Sequence, residues 1–210
     1  FDLPREWKTN INFKFKLPND FDLTLSGTYT DVIKGIFFKS INRENNLGNF
    51  SGTDNRPYYL ETGEDIKINP NFTNVFLLTN TNKGYRYNLT ASLYKKINNY
   101  NGFLAYTYGQ SKNISSTVRN SPAANYEWNQ AIVANDPELS FSNFDLRHKI
   151  VSSHTYNFTI NDKNSFLASF LYNGTSGSPI SFVYRGDINR DGSSRNDLIY
   201  IPRNENEISL

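Results

Sequence analysis

Trp7-Lys8-Thr9-Asn10-Ile11-Asn12-Phe13-Lys14-Phe15-Lys16-Leu17 decides the fold. One parity carries Trp7, Thr9, Ile11, Phe13, Phe15 and Leu17, and the other carries Lys8, Asn10, Asn12, Lys14 and Lys16. Side chains of a strand alternate between its two sides, so the stretch predicts a strand with one apolar and one strongly polar face. Pro18-Asn19-Asp20 follows as a tight-turn signal. Alternation then resumes with Phe21, Leu23, Leu25, Gly27 and Tyr29 against Asp22, Thr24, Ser26, Thr28 and Thr30, continuing less cleanly to about Ile41. The two stretches predict a hairpin.

Working outward, the same period recurs while the helix period is nearly absent. A third segment sets Tyr85, Tyr87, Leu89, Ala91 and Leu93 against Arg86, Asn88, Thr90 and Ser92, with a start as early as Val75. Asn98-Asn99-Tyr100-Asn101-Gly102 turns it into a fourth, where Leu104, Tyr106 and Tyr108 oppose Phe103, Ala105, Thr107 and Gly109. The fifth runs from Asp145 to Phe158 and puts Leu146, His148, Ile150, Ser152, His154, Tyr156 and Phe158 on one side. Asn161-Asp162-Lys163-Asn164 turns it into a sixth with Phe166, Ala168, Phe170 and Tyr172 in phase. Pro4, Pro18, Pro57, Pro70, Pro122, Pro137, Pro179 and Pro202 all fall outside these cores, as the missing N–H of proline requires.

Composition removes several classes. The 210 residues contain no apolar run long enough for a transmembrane helix, and mean hydropathy is only -0.61. A transmembrane β-barrel stays open, because its strands alternate and need no such run. With 16 Phe, 14 Tyr and 2 Trp the chain is too aromatic for a disordered one. The net charge of +2 comes without a Lys/Arg block, which argues against nucleic acid as a partner. Zero Cys removes a disulfide framework and a Cys-based zinc site. No signal-peptide pattern opens the chain, and Phe1-Asp2-Leu3-Pro4 reads as the start of a mature or internal piece.

Connection lengths choose between all-β architectures. The turns near 18–20, 97–102 and 160–164 are short, whereas the links over about 42–73, 111–143 and from 174 onward are long and rich in Asn, Ser, Gly and Pro. Short periplasmic turns alternating with long extracellular loops are the pattern of an outer-membrane barrel, while long structureless loops count against a soluble sandwich. Eleven residues at roughly 3.4 Å each, tilted about 40°, project to about 28 Å, close to the hydrocarbon thickness. Trp7 at one end and Phe21, Tyr100 and Phe158 at the other stand where interfacial girdles would lie. Lys8, Lys14, Lys16, Arg86, Arg147 and Lys149 are then expected to face a lumen, because lipid-facing charges cost about 2–4 kcal/mol each near the midplane.

Several motifs in fixed order carry a family resemblance. Tyr29-Thr30-Asp31-Val32-Ile33, Asn80-Thr81-Asn82-Lys83-Gly84-Tyr85, Leu104-Ala105-Tyr106-Thr107-Tyr108-Gly109 and Pro137-Glu138-Leu139-Ser140 come first. Asp145-Leu146-Arg147-His148-Lys149-Ile150, Gly186-Asp187-Ile188-Asn189-Arg190-Asp191-Gly192 and Asn196-Asp197-Leu198-Ile199-Tyr200-Ile201-Pro202 complete the set. Together with the Trp7 strand, they resemble the C-terminal half of the barrel of large TonB-dependent outer-membrane receptors. The Oar-like branch, which carries a carboxypeptidase-regulatory-like N-terminal domain, is the nearest likeness. The resemblance implies an all-β, antiparallel, 22-stranded barrel in the bacterial outer membrane, with an N-terminal plug, energised by the TonB complex and importing a ligand too large for porins. Neither a plug nor a terminal aromatic closing strand is visible, since the chain ends Glu207-Ile208-Ser209-Leu210. Six strands are fewer than the smallest bacterial barrel needs. Residues 1–210 are thus expected to be part of one barrel domain whose partners are outer-membrane lipid, the remaining strands and the plug.

The candidate chemistry is sparse, and no enzyme is expected. Asp187-Ile188-Asn189-Arg190-Asp191-Gly192 matches the opening of a calcium loop, with Asp187, Asn189, Asp191 and Asp197 as candidate ligands. A complete EF-hand places its closing carboxylate at the twelfth position, which is Leu198; a polar Asx-turn loop is the alternative reading. His148 and His154 lie about 20 Å apart along one strand at roughly 3.4 Å per residue, too far for one metal, and read as wall residues. No catalytic triad order, phosphate-cradling glycine loop or zinc-binding helix motif is present. Tyr58, Tyr59, Tyr126 and Trp128 are candidates to grip a peptide or glycan, with mutual packing of the loops as the alternative. A soluble secreted β-rich adhesion or glycan-binding module with a calcium loop is the second functional expectation.

Overall fold

The computed structural model describes residues 1–62, 65–116 and 119–208. It is all-β and antiparallel, with 51% of residues in strands against 6% in helix. In chain order the elements are β1 (Arg5–Leu17), β2 (Phe21–Ser40), β3 (Leu47–Asn49), β4 (Pro57–Tyr59), β5 (Phe76–Thr81) and β6 (Gly84–Ile97). There follow β7 (Tyr100–Asn113), the short helix α1 (Pro122–Glu127), β8 (Ser140–Phe141), β9 (His148–Asn161) and β10 (Asn164–Thr175). The main sheet is a meander in the order β1-β2-β6-β7-β9-β10, with β5 also on β2 and β8 on β7; β3 and β4 form a separate hairpin. Among the described residues β1 and β10 are unpaired on their outer sides, so the sheet is open.

All six predicted strands are present, with three adjustments. The third is divided into β5 and β6, which both pair with β2 in one register, Gly35 to Thr81 and Asp31 to Tyr85, with an unpaired gap between. The second turn is narrower than expected, because Ile97 already pairs with Tyr100 and only Asn98-Asn99 bridges them. The fifth strand begins at His148 and leaves Asp145 to Arg147 outside. Asparagine and aspartate serve the turns because they tolerate left-handed backbone: Asn19 has φ 60, Asp20 φ 59 and Asn98 φ 43.

The long links are not structureless. The first holds the β3–β4 hairpin and the second holds α1 and β8. Ser121 caps α1 by accepting the Ala124 N–H at 3.2 Å, and Pro122 enters at the first turn, where its missing donor is harmless. Residues 63, 64, 117 and 118 of these links, like the terminal Ser209 and Leu210, lie outside the described residues.

Register keeps the two faces separate. Lys8, Thr30, Arg86 and Ser111 form one cross-strand row on the polar face. Phe15, Leu23, Leu93, Leu104, Ser152 and Tyr172 form one on the apolar face. Arg147 is an exception to the lumen expectation: it precedes β9, bonds Asp145 at 3.0 Å and stacks on Phe141 and Tyr108. β10 departs as well, since Leu167 and Leu171 fall on the polar parity.

Among the described residues nothing covers the apolar face: Ile11, Phe13 and Leu89 are 54%, 56% and 56% exposed. Its two ends are ringed. At the long-link end a chain of rings runs from Trp7 through Tyr29, Tyr85, Tyr87 and Tyr108 to His148, with centroids 5.4–6.5 Å apart. At the short-turn end Tyr156, Phe158 and Phe166 pack as tilted rings, and Tyr100 and Phe170 flank His154. Each histidine is satisfied by a tyrosine of β7, His148 Nδ1 with Tyr106 Oη at 2.7 Å and His154 Nδ1 with Tyr100 Oη at 2.6 Å. Buried apolar residues sit elsewhere, mostly in the links and the far end of β2: Phe37, Ile66, Ile114, Tyr126, Ala131 and Ala134.

The first turn gives a direct check. Asn19→Gly is expected to leave thermal stability unchanged or raised, whereas Asn19→Val loses about 1–2 kcal/mol, because a β-branched residue is strained at positive φ.

Candidate functional site

The three long links fold into one layer beyond the ringed end of the sheet, held by contacts between residues far apart in sequence. Tyr59 N–H donates to the Asn189 carbonyl at 2.9 Å, Arg190 donates to the Leu60 carbonyl at 3.2 Å, and Ala131 N–H donates to the Asn196 carbonyl at 2.9 Å. Asn135 ties the layer to the sheet by accepting the Ser40 N–H at 2.9 Å and donating to the Ser40 carbonyl at 2.8 Å. Arg56, 1% exposed, donates to both oxygens of Asp54 and lies between the rings of Phe50 and Tyr184.

The candidate calcium residues come together at the centre of this layer. Asp187 accepts the Asp191 and Gly192 N–H groups at 2.9 and 2.6 Å, Asn189 accepts the Asp191 N–H at 2.8 Å, and Asp191 accepts the Ser193 N–H at 2.8 Å. Asp197 reaches back to accept the Ile188 N–H at 3.0 Å. The second carboxylate oxygen of Asp191 accepts from Asn196 at 2.9 Å and from the Tyr126 hydroxyl at 3.2 Å. These are the Asx-turn bonds of the alternative reading, made by residues almost wholly buried: Asn189, Asp191, Asn196 and Asp197 are 6% exposed or less.

Burial and mutual repulsion set the electrostatics. Burial pushes Asp187 above the usual carboxylate range and the charge of Asp191 adds to it, against the N–H groups of Gly192 and Asp191. Asp197 is pushed up to about 6, chiefly by burial, with Asp191 and Asp187 adding and the Ile188 N–H opposing. Burial raises the Tyr126 phenol as well, followed by the Asp191 carboxylate beside it. Among the described residues none of Asp187, Asp191 and Asp197 forms an ion pair. Arg43 is close enough to lower Asp187 and to crowd any Cβ at Gly192, but its own bond goes to Asn74 at 3.2 Å.

The ring residues divide. Tyr126 is buried at 4% exposure and Tyr59 is half-buried, so both pack the layer. Tyr58 lies against Phe50 and under the Arg190 guanidinium. Trp128 alone offers a largely open ring, 42% exposed and flanked by the Arg119 and Arg195 guanidiniums at 4.8 and 4.9 Å. Neither arginine has a sequence signal linking it to Trp128, and Asn196 carries none beyond its place beside Asp197. On the polar face of the sheet, below the layer, a hollow of about 640 Å³ is lined by Glu6, Arg86, Thr107, Lys112, Asp145 and Lys149. An Arg86–Glu6 ion pair of 2.6 Å lies at its wall.

No protein-family model, curated protein or solved structure matches the chain.

Tyr126→Phe removes one of the two donors on a buried oxygen of Asp191. It is expected to destabilise the layer by about 1–3 kcal/mol, seen as faster limited proteolysis within 174–205, while the sheet's far-UV dichroism is unchanged.

Proposed function

We propose that this chain is part of the wall and outer loops of a TonB-dependent outer-membrane receptor of the Oar-like kind, a non-enzymatic importer of a large ligand. The observation that carries the reading is the bare apolar face bounded at both ends by aromatic rows. In water such a face would be a continuous aggregation surface; in a bilayer it is the lipid contact, with rings at the two interfaces. A shallow apolar hollow of about 530 Å³ opens on it over Gly27 and Ala91, between Phe13, Leu89 and Tyr106, and suits an acyl chain. Tyr–His pairing satisfies one ring nitrogen of each histidine on that face.

On this reading the polar face lines the lumen, the unpaired edges of β1 and β10 join further strands, and the plug and TonB contacts belong to other parts of the receptor. The link layer is extracellular, and Trp128 with Arg119 and Arg195 is an accessible ring site flanked by cations, of a kind that suits a peptide or an anionic glycan. A soluble adhesion or glycan-binding module is the second reading, favoured by the buried core that the links form for themselves.

Fractionation separates the two. The protein is expected in the outer-membrane fraction and to need detergent for extraction; recovery as a stable, detergent-free monomer would remove the receptor reading. Substitutions give an internal control: Leu89→Lys is expected to cost about 2–4 kcal/mol in a bilayer, whereas Thr90→Lys on the opposite face costs far less, measured by reversible unfolding in lipid vesicles.

A further inference from the structure

We propose that the 187–197 loop binds a calcium ion, which fastens the three long links to one another. The loop follows the calcium-binding pattern in backbone as well as sequence. Asp187, Asn189 and Asp191 occupy positions one, three and five, and Gly192 takes the sharp turn at position six with φ 81. The N–H bonds received by Asp187 and Asn189 leave each oxygen a second lone pair, and they fix the side chains from behind. Asp197 replaces the usual twelfth-position carboxylate from one residue earlier, and its bond to the Ile188 N–H folds the end of the loop back over its start.

An independent observation indicates a ligand. Asp197 and Asn196 are 0% exposed, yet Asp197 Oδ1 and Asn196 Oδ1 have no hydrogen-bond partner, and neither does Oγ of the buried Ser193. Both unpartnered Oδ1 atoms are held at the loop, one by the Asp197–Ile188 bond and the other by the Asn196–Asp191 bond. Leaving Asp197 Oδ1, Asn196 Oδ1 and Ser193 Oγ buried without partners, beside the buried carboxylate of Asp191, is costly because each loses its hydration without compensation, and the nearby Arg43 guanidinium bonds Asn74 instead. Among the described residues no three His, Cys, Asp or Glu side chains are grouped so as to hold a metal ion, so carboxylates alone do not make this site and the amide and hydroxyl oxygens are needed. The candidate donors mix carboxylate, amide and hydroxyl oxygens, the hard oxygen set that calcium takes and that zinc does not.

The consequence is mechanical. Asp191 is held by Tyr126 of the second link, and the Asn189 carbonyl by Tyr59 of the first, so an ion at this loop makes one unit of all three. The inference does not depend on the membrane reading, since a soluble protein with this loop would respond alike; fractionation and metal titration therefore fail separately.

The test uses the purified protein in detergent with terbium as the probe, because Tyr59 and Tyr126 lie close enough to sensitise its luminescence. Terbium emission is expected to rise on binding and to be displaced by calcium with a Kd of about 10⁻⁴–10⁻³ M or tighter. Calcium is also expected to slow proteolysis within 174–205 relative to chelator, with magnesium much weaker. Asp187→Asn and Asp197→Asn, which keep the shape and the N–H bonds, should each weaken displacement by about tenfold or more. Joint substitution of Asp187 and Asp191 by Ala should abolish the calcium-dependent protection. Wild-type protein that gives no calcium-displaceable emission and the same digestion with calcium and chelator overturns the proposal. An equal response to magnesium overturns its assignment to calcium.

Discussion

The antiparallel hydrogen-bond ladder, held in one register from β1 to β10, is the constraint on which everything else rests. Slips occur only at the outermost pairs, beside Arg5 and beside Asn164. Because the side-chain period is two, a slip of one residue in any strand would place its lysines or asparagines among Phe13, Leu89 and Leu104. Two-residue turns such as Asn98-Asn99 hold the register at one end, where the chain has no slack. Cross-strand contacts, including the Thr90–Thr107 hydroxyl bond of 2.8 Å and the ring chain from Trp7 to His148, reinforce it along the faces.

A sheet sorted in this way cannot serve as its own core. One face is ringed and apolar and the other polar and hollowed, and among the described residues the apolar face is left bare by protein. Burial has moved into the links, where the apolar supply is modest and the interior is largely polar: Asn125, Asp145, Asn189, Asp191, Asn196 and Asp197 are all buried. Such an interior is held by directed bonds more than by area. It therefore depends on complete satisfaction of its polar groups, and the unpartnered atoms of Asp197 and Asn196 are conspicuous for that reason.

The two halves also differ in what they present. The sheet separates an apolar exterior from a polar hollow where Arg86 and Glu6 pair. The link layer presents Trp128 between two arginines, so the open ring site and the polar hollow lie in adjoining but differently built parts.

The sequence by itself determined the strands, their facing and the turns, because alternation is local and every second residue reports the same environment. It also located the residues of the 187–197 loop, since Asp, Asn and Gly at alternate positions act through their own backbone. Tertiary structure alone decided which distant groups met that loop. Tyr126, about 65 residues away by its bond to Asp191, became a buried strut instead of a ligand contact. Arg147, expected on the polar face of a strand, lies instead against the rings of Tyr108 and Phe141, and Trp128 gained Arg119 and Arg195. The links that make these contacts have no period, so their partners are chosen by chain closure and by the need to satisfy buried polar atoms, neither of which can be read one residue at a time.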